Sequence, residues 1–156
     1  MEPTEAELLR SLLTRERMLS LGVLVDGQPV VGVLPFLVLP GSGSLLIHAS
    51  RLARHGQGLI PGAAFGAAIQ APDHPDQDPL RLPRFTFEGR VEPLSEDETQ
   101  VAREVWRTRF SSAAMTVELG DFSFWWLRIA SGRLIVGFGR ALNIGASQLH
   151  EALSPR

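Results

Sequence analysis

Residues 48–62 read HASRLARHGQGLIPG and gather side chains able to do chemistry: His48, Ser50, Arg51, Arg54 and His55, with glycines at 56, 58 and 62. A metal site needs several ligands at close, regular spacing. His48 and His55 have no carboxylate or third imidazole near them in sequence, so no metal is expected. A nucleophilic serine needs a base, an orienting acid and a sharp strand-to-helix elbow. Ser50 and His55 lack that frame, and no catalytic residue is assigned. An anion cradle fits better. Ser50 ends an apolar run and precedes a helix-like LARHGQGL, the N-cap position where backbone N–H groups are unpaired. Those donors with Arg51 or Arg54 make a phosphate-sized site. The alternative is an ordinary capped turn with solvated arginines.

The rest of the chain limits the chemistry available to that segment. Its 156 residues, 44% hydrophobic with a net charge of −2, describe one globular domain with a core of ordinary size. Near-neutrality argues against a nucleic-acid binder, which presents a basic face. There is no cysteine, so disulfides and thiolate chemistry are excluded. There is no lysine either, which excludes Schiff-base catalysis and leaves arginine, backbone N–H and hydroxyl groups to hold any anion. The first residues are acidic where a signal peptide is basic, and no apolar run spans a bilayer; a cytoplasmic protein without a membrane segment is expected.

The elements that position the segment are mostly strands. Thr4 and Glu7 have capping-box spacing before the leucine stripe at 8, 9, 12 and 13, which predicts an opening helix. Two β-like runs, 19–25 and 30–39, flank Asp26-Gly27, a hairpin signal. Pro35 inside the second run predicts a bulge or an edge position. After a turn at 40–44 come strands at 45–47, 63–70 and 85–91, with a polar, proline-rich loop at 71–79. Ser95 and Glu98 form a capping box opening a helix over 96–110. Residues 122–130 read as a strand, Ser131-Gly132 as a hairpin turn, 133–138 as the last strand and 147–153 as a short closing helix. Six or seven strands joined by tight turns, with few helices, predict a mainly β protein: an antiparallel Greek-key barrel.

Two further motifs matter. In GDFSFWWL, residues 120–127, bulky groups fall on both faces of the strand. One face belongs to the core; the other meets a dimer partner or a covering helix. GFGRA, residues 137–141, sets glycines beside an aromatic at a strand end. Either a ligand approaches the backbone there, with Arg140 as its anion partner, or the glycines form a bulge beside a surface arginine. Glu96, Asp97 and Glu98 are first-turn acids that complement a helix dipole, with no catalytic carboxylate pair among them.

SRLARH after an apolar strand, PRFTFEGR (residues 83–90), GDFSFWWL and GFGRA follow one another in an order and spacing that resembles the pyridoxamine-phosphate-oxidase-like, FMN-binding split barrels, and within them the haem-utilisation (HugZ-type) branch. The resemblance runs from about residue 18 to 141. It implies a six-stranded antiparallel split barrel that forms a homodimer with two flavin sites at the interface. It implies FMN with its phosphate at the turn of Ser50 and Arg51, and Arg84 on a neighbouring strand beside the cofactor. With His55 and Arg140 these are the expected cofactor-binding residues. The flavin would carry the redox chemistry of an oxidoreductase, the chain supplying binding and orientation. The alternatives are a haem-binding protein using the same cleft, with His55 or His150 as candidate axial ligands, and a barrel without cofactor. The chain departs from the family pattern at Gly56 and Gly58, where a threonine and an asparagine are usual, at Gly62 and Ala63, where an Asp-Pro pair is usual, and at Gly66, where a serine is usual.

Overall fold

The computed structural model describes residues 1–39 and 42–154. Pro40 and Gly41, part of the turn expected at 40–44, lie outside them. The elements run α1 (Pro3–Arg15), β1 (Met18–Val25), β2 (Gln28–Val38), β3 (Ser44–Ser50), a 3-10 turn (His55–Gly58), β4 (Ala64–Gln70), β5 (Arg84–Pro93), α2 (Glu96–Arg109), β6 (Phe122–Gly137), β7 (Arg140–Ile144) and α3 (Ala146–Leu153). Short 3-10 stretches at Pro79–Arg81 and Ser111–Glu118 complete them.

All pairings are antiparallel, in the order β3-β2-β1-β4-β5-β6-β7. An added β3–β6 ladder, from Ser44↔Arg128 to Ser50↔Phe122, closes six strands into a barrel with β7 outside the ring. Consecutive β3 and β4 are not neighbours. The chain between them, which holds the Ser50 turn, makes the crossing that gives the Greek key.

The barrel interior is filled by the alternate residues of each strand, among them Leu19, Leu21, Phe36, Leu45, Ile47, Phe85 and Leu127. Helix α1 adds Leu9, Leu12 and Leu13 to that core. A second cluster lies outside the ring. There Trp106 and Phe110 of α2 and its C-cap pack on Leu46, Phe124 and Trp126. Both faces of the GDFSFWWL strand are therefore covered, and the outer one by α2, not by a partner chain.

Three local expectations change. Helix α1 begins at Pro3, with Glu2 as its N-cap; the Glu2 N–H donates to the Glu5 carboxylate at 2.8 Å. Pro35 is neither bulged nor on an edge. It pairs in register with Met18, the first residue of β1, where the β1–β2 ladder ends and no donor is needed from it. The largest change is in β6, which runs unbroken through Ser131 and Gly132. The turn lies later, at Phe138 and Gly139, and the last strand is β7. Gly132 is there for close packing: a Cβ on it would lie 2.4 Å from the Phe85 ring. The backbone that turns is at Gly139, with φ 76°. The capping box of α2 is formed as expected. The Ser95 N–H donates to Glu98 at 2.8 Å, and the Glu98 N–H donates to the Ser95 hydroxyl at 3.2 Å.

Candidate functional site

The Ser50 turn is built by the end of β3 and by the start of β6 opposite it. Ser50 does cap the turn: its Oγ accepts from the Leu52 N–H at 3.1 Å, and its carbonyl accepts from the Ala53 N–H at 3.2 Å. The hydroxyl proton goes elsewhere, to Asp121 Oδ2 at 2.5 Å. The Arg51 N–H donates to the Asp121 carbonyl at 2.8 Å. The first three N–H groups after Ser50 are thus all bonded within the protein, and a carboxylate sits on the hydroxyl expected to face a phosphate. A phosphate dianion at this position would meet no free donor among those groups and one negative charge. The Ser50 hydroxyl and these backbone N–H groups are therefore not free to hold an FMN phosphate in this arrangement, whereas the Arg51 and Arg54 guanidiniums form no ion pair among the described residues.

The turn's glycines have a packing role. A Cβ on Gly56 would lie 1.9 Å from the Ser50 carbonyl oxygen. A Cβ on Gly58 would lie 2.7 Å from the Val23 side chain. The segment folds tightly against the end of β1, and Leu59 enters the core behind it. His55 is part of that closure: its imidazole lies against Gly32 of β2, where an added Cβ would be 2.5 Å from the ring. Burial holds its pKa below the ordinary value.

His48 is enclosed more completely. It stacks on Phe124 with ring centroids 4.2 Å apart and touches Phe122 and Trp106. Burial first, and the nearby Arg103 charge second, push its pKa down to about 4. It is a neutral member of an aromatic cluster.

The expected site residues separate into two groups. Ser50, Arg51 and His55 share one segment. Arg84 and Arg140 lie at the other end of β6: Ser50 pairs with Phe122, whereas Arg84 pairs with Ile135 and Arg140 with Gly137. Arg84 donates to the Leu82 carbonyl at 3.1 Å. Arg140 donates to Glu5 at 2.7 Å and to Glu2 at 3.1 Å, tying β7 to the start of α1. Within one chain, Arg84 is therefore not beside the Ser50 turn.

A cavity of about 510 Å³ lies between β6, α3 and the loop before β3. Its wall carries Arg128, Ile129, Leu149, His150 and Leu153. Arg128 is held in position by Glu92, which accepts from its Nε at 2.9 Å, by the Ser44 hydroxyl at 3.1 Å and by the Trp126 ring beneath it. The cavity thus brings together an imidazole, a guanidinium that already carries the Glu92 carboxylate, and apolar side chains. Neither Asp121 nor this cavity is visible in local patterns, because each depends on strands and helices distant in sequence. Among the described residues no group of three His, Cys, Asp or Glu side chains could hold a metal ion. No helix among them is long and apolar enough to cross a membrane.

No protein-family model matches the chain, and no curated protein matches it in sequence. Solved structures do match. A haem-binding protein from Mycobacterium smegmatis superposes with a TM-score of 0.80 at 28% identity, covering 97% of this chain and 62% of that one. The chain thus spans under two thirds of that protein's length. A second structure, 31% identical, matches over 99% of both chains with a TM-score of 0.81. HutZ, the haem storage protein of Vibrio cholerae, shares the fold at 22% identity and a TM-score of 0.65, over 82% of this chain and 89% of its own. FAD-binding proteins occur among more distant matches in fold. With its closed six-stranded barrel, its order of motifs and these likenesses, the chain belongs to the pyridoxamine-phosphate-oxidase-like split barrels, in their haem-utilisation branch.

Proposed function

We propose that the protein binds haem, as a homodimer, and that the ligand occupies the cavity beside α3. The observation that carries this reading is the Asp121 carboxylate on the Ser50 hydroxyl, the group that the family resemblance assigns to an FMN phosphate. The likeness to a haem-binding protein over nearly the whole chain supports it. Bound haem supplies an iron that takes an imidazole ligand and propionates that pair with cations. His150 is the ligand we assign; Arg128 would pair with a propionate in exchange for its Glu92 contact, and Leu153 and Ile129 supply apolar contact. His55 is less suited, because its ring packs on Gly32.

The homodimer reading rests on the outer face of β1, β2 and β4. Leu24, Val31 and Val33 are exposed there, at 60%, 69% and 65%. They lie beside Gly22, Ser20, Gly66 and Ala68, small residues that leave the face flat. A second copy is the occupant we assign, because the same apolar strip on two chains is self-complementary. A cysteine-free sequence suits the reducing cytoplasm we assign to it.

One observation favours the flavin reading: Arg51 and Arg54 form no ion pair among the described residues and stand beside the turn. An absorption titration separates the two. The purified protein titrated with haemin should give a saturable Soret band, weakened at least tenfold by His150→Ala and little changed by His55→Ala. Saturable quenching of FMN fluorescence with no Soret band would overturn the haem assignment in favour of a flavoprotein. Val31→Arg should give a monomer in sedimentation; an unchanged mass would remove this face as the interface.

A further inference from the structure

A second cavity, of about 820 Å³, opens on the outer face of β4, β5, β6 and β7. It shares no residue with the cavity assigned to haem, and it meets the face assigned to a second copy only at Gly66. The cross-strand partners that line it form two rows: Thr86, Arg133 and Asn143 in one, Glu88 and Ser131 in the next. Partners directly opposite share a face of the sheet, and diagonal neighbours lie about 7–8 Å apart, within reach of long side chains. Glu88 and Arg133 are such a diagonal pair, an anion and a cation on one exposed face. They do not pair. The Ser131 hydroxyl donates to Glu88 at 2.9 Å, and Arg133 donates to the Asn143 side-chain oxygen at 2.9 Å. Neither charge forms an ion pair among the described residues. Gln148 of α3 borders the same cavity, and its side-chain oxygen accepts from the Gly145 N–H and the Ser147 hydroxyl, each at 3.0 Å. The oxygens of Asn143 and Gln148 are thus engaged, and their NH2 groups are left as donors. The apolar residues of the lining, Ala67, Phe87 and Ile144, are buried.

We propose that this cavity binds a free α-amino acid whose side chain ends in hydrogen-bond acceptors, the class of glutamate. Its ammonium group takes the Glu88 carboxylate and its α-carboxylate takes the Arg133 guanidinium, both charge-assisted contacts. The two charges of an α-amino acid are separated by one carbon, so the molecule bridges two side chains that stand near each other without touching. A ligand with charge of one sign is attracted by one of them and repelled by the other, and the pair therefore selects a zwitterion. The terminal acceptors turn to the Asn143 and Gln148 NH2 groups. An apolar side chain finds little to pack on, because the apolar lining faces the barrel core. The cavity is within the ordinary size range of small-molecule sites.

The test uses the whole chain and three probes of equal carbon number: L-glutamate, glutarate, which lacks the ammonium group, and L-norvaline, which lacks the terminal acceptors. Calorimetry should give saturable L-glutamate binding at least tenfold tighter than either of the others. Glu88→Gln should weaken L-glutamate at least tenfold and leave glutarate no weaker. Arg133→Met should weaken L-glutamate by a similar factor. Both variants replace exposed side chains, and unchanged urea midpoints will show that the fold is kept. In the ¹⁵N-labelled parent protein, L-glutamate should shift the backbone amides of Gly66, Gly132 and Gly145, which line the cavity. No saturable binding of L-glutamate, glutarate or L-norvaline bound as tightly, full affinity in either variant, or shifts at other glycines in place of these three would each overturn the proposal.

Discussion

Ser50 at the end of β3 donates its hydroxyl proton to Asp121, directly before β6, at 2.5 Å. The contact joins the two strands that close the barrel, where the ladder ends at Ser50↔Phe122. A hydrogen bond to a charged acceptor contributes about 1.5–3 kcal/mol. Asp121→Ala should therefore lower stability to urea by about 1–2 kcal/mol, the smaller figure because the pair is half-buried. It should also free the Ser50 hydroxyl and remove a negative charge from the turn. FMN affinity, read by fluorescence quenching, should rise roughly tenfold, equivalent to about 1.4 kcal/mol. Unchanged or weaker FMN binding in this variant would show that the carboxylate is not what excludes the phosphate.

His48 makes the fold sensitive to acid. Its imidazole is enclosed by Phe122, Phe124 and Trp106, and Arg103 of α2 is the charged group facing it. The folded pKa of about 4 lies below the ordinary 6.5. Above pH 6.5 the group is neutral in both states and costs nothing. As pH falls from 6.5 to about 4, the unfolded chain binds a proton that the folded one refuses, and stability falls. The full difference between the two states is worth up to about 3 kcal/mol. His48→Phe should flatten the curve of urea midpoint against pH between 4 and 6.5. A variant with the wild-type slope would assign the acid sensitivity to other groups.

Arg140 is a fastener for α1. It pairs with Glu5, which is buried, and with Glu2 at the N-cap. Its hydrogen bond and charge, after the Glu2 backbone contact, hold the Glu5 pKa below the ordinary value. Stability from Glu5 is thus present above its unfolded pKa and is lost as pH falls through the lower folded one. Arg140→Ala leaves Glu5 buried without its cation. Residues 1–15 should become cleavable by protease, and the melting temperature should fall by several degrees, while haemin titration stays as in the parent protein. Loss of haemin binding with α1 still protected would instead make Arg140 a ligand residue.

The sequence was most legible where structure is local. The Asp26-Gly27 hairpin and the Ser95–Glu98 capping box depend on neighbours within four residues, and both form. The antiparallel Greek-key barrel, though not its strand order, follows from a family resemblance and the count of strands and turns. Long-range partners carry no local signal. Asp121 meets Ser50 across 71 residues. The outer face of Phe124 and Trp126 suits a dimer partner as well as a helix until α2 is folded onto it. Gly56 and Gly58 look like lost ligand donors until the turn closes on Ser50 and Val23. A glycine that turns and a glycine that something presses against are the same letter.

Gly132 is the sharpest case. Ser131-Gly132 is a good hairpin dipeptide in isolation, yet Gly132 sits mid-strand, opposite Phe87 and Ile144. What excludes a side chain is Phe85, fully buried, whose ring atoms would be 2.4 and 2.6 Å from a Cβ, with the Thr86 carbonyl at 2.9 Å. Overpacking of this kind costs about 1–3 kcal/mol. Gly132→Ala should destabilise by that amount in urea, and Phe85→Leu by a cavity cost of its own. If the ring is the obstacle, the double variant should be less destabilised than the sum of the singles, by about 1 kcal/mol or more. Strict additivity would place the conflict at the Thr86 carbonyl, and a harmless Gly132→Ala would return the glycine to the role of a turn residue.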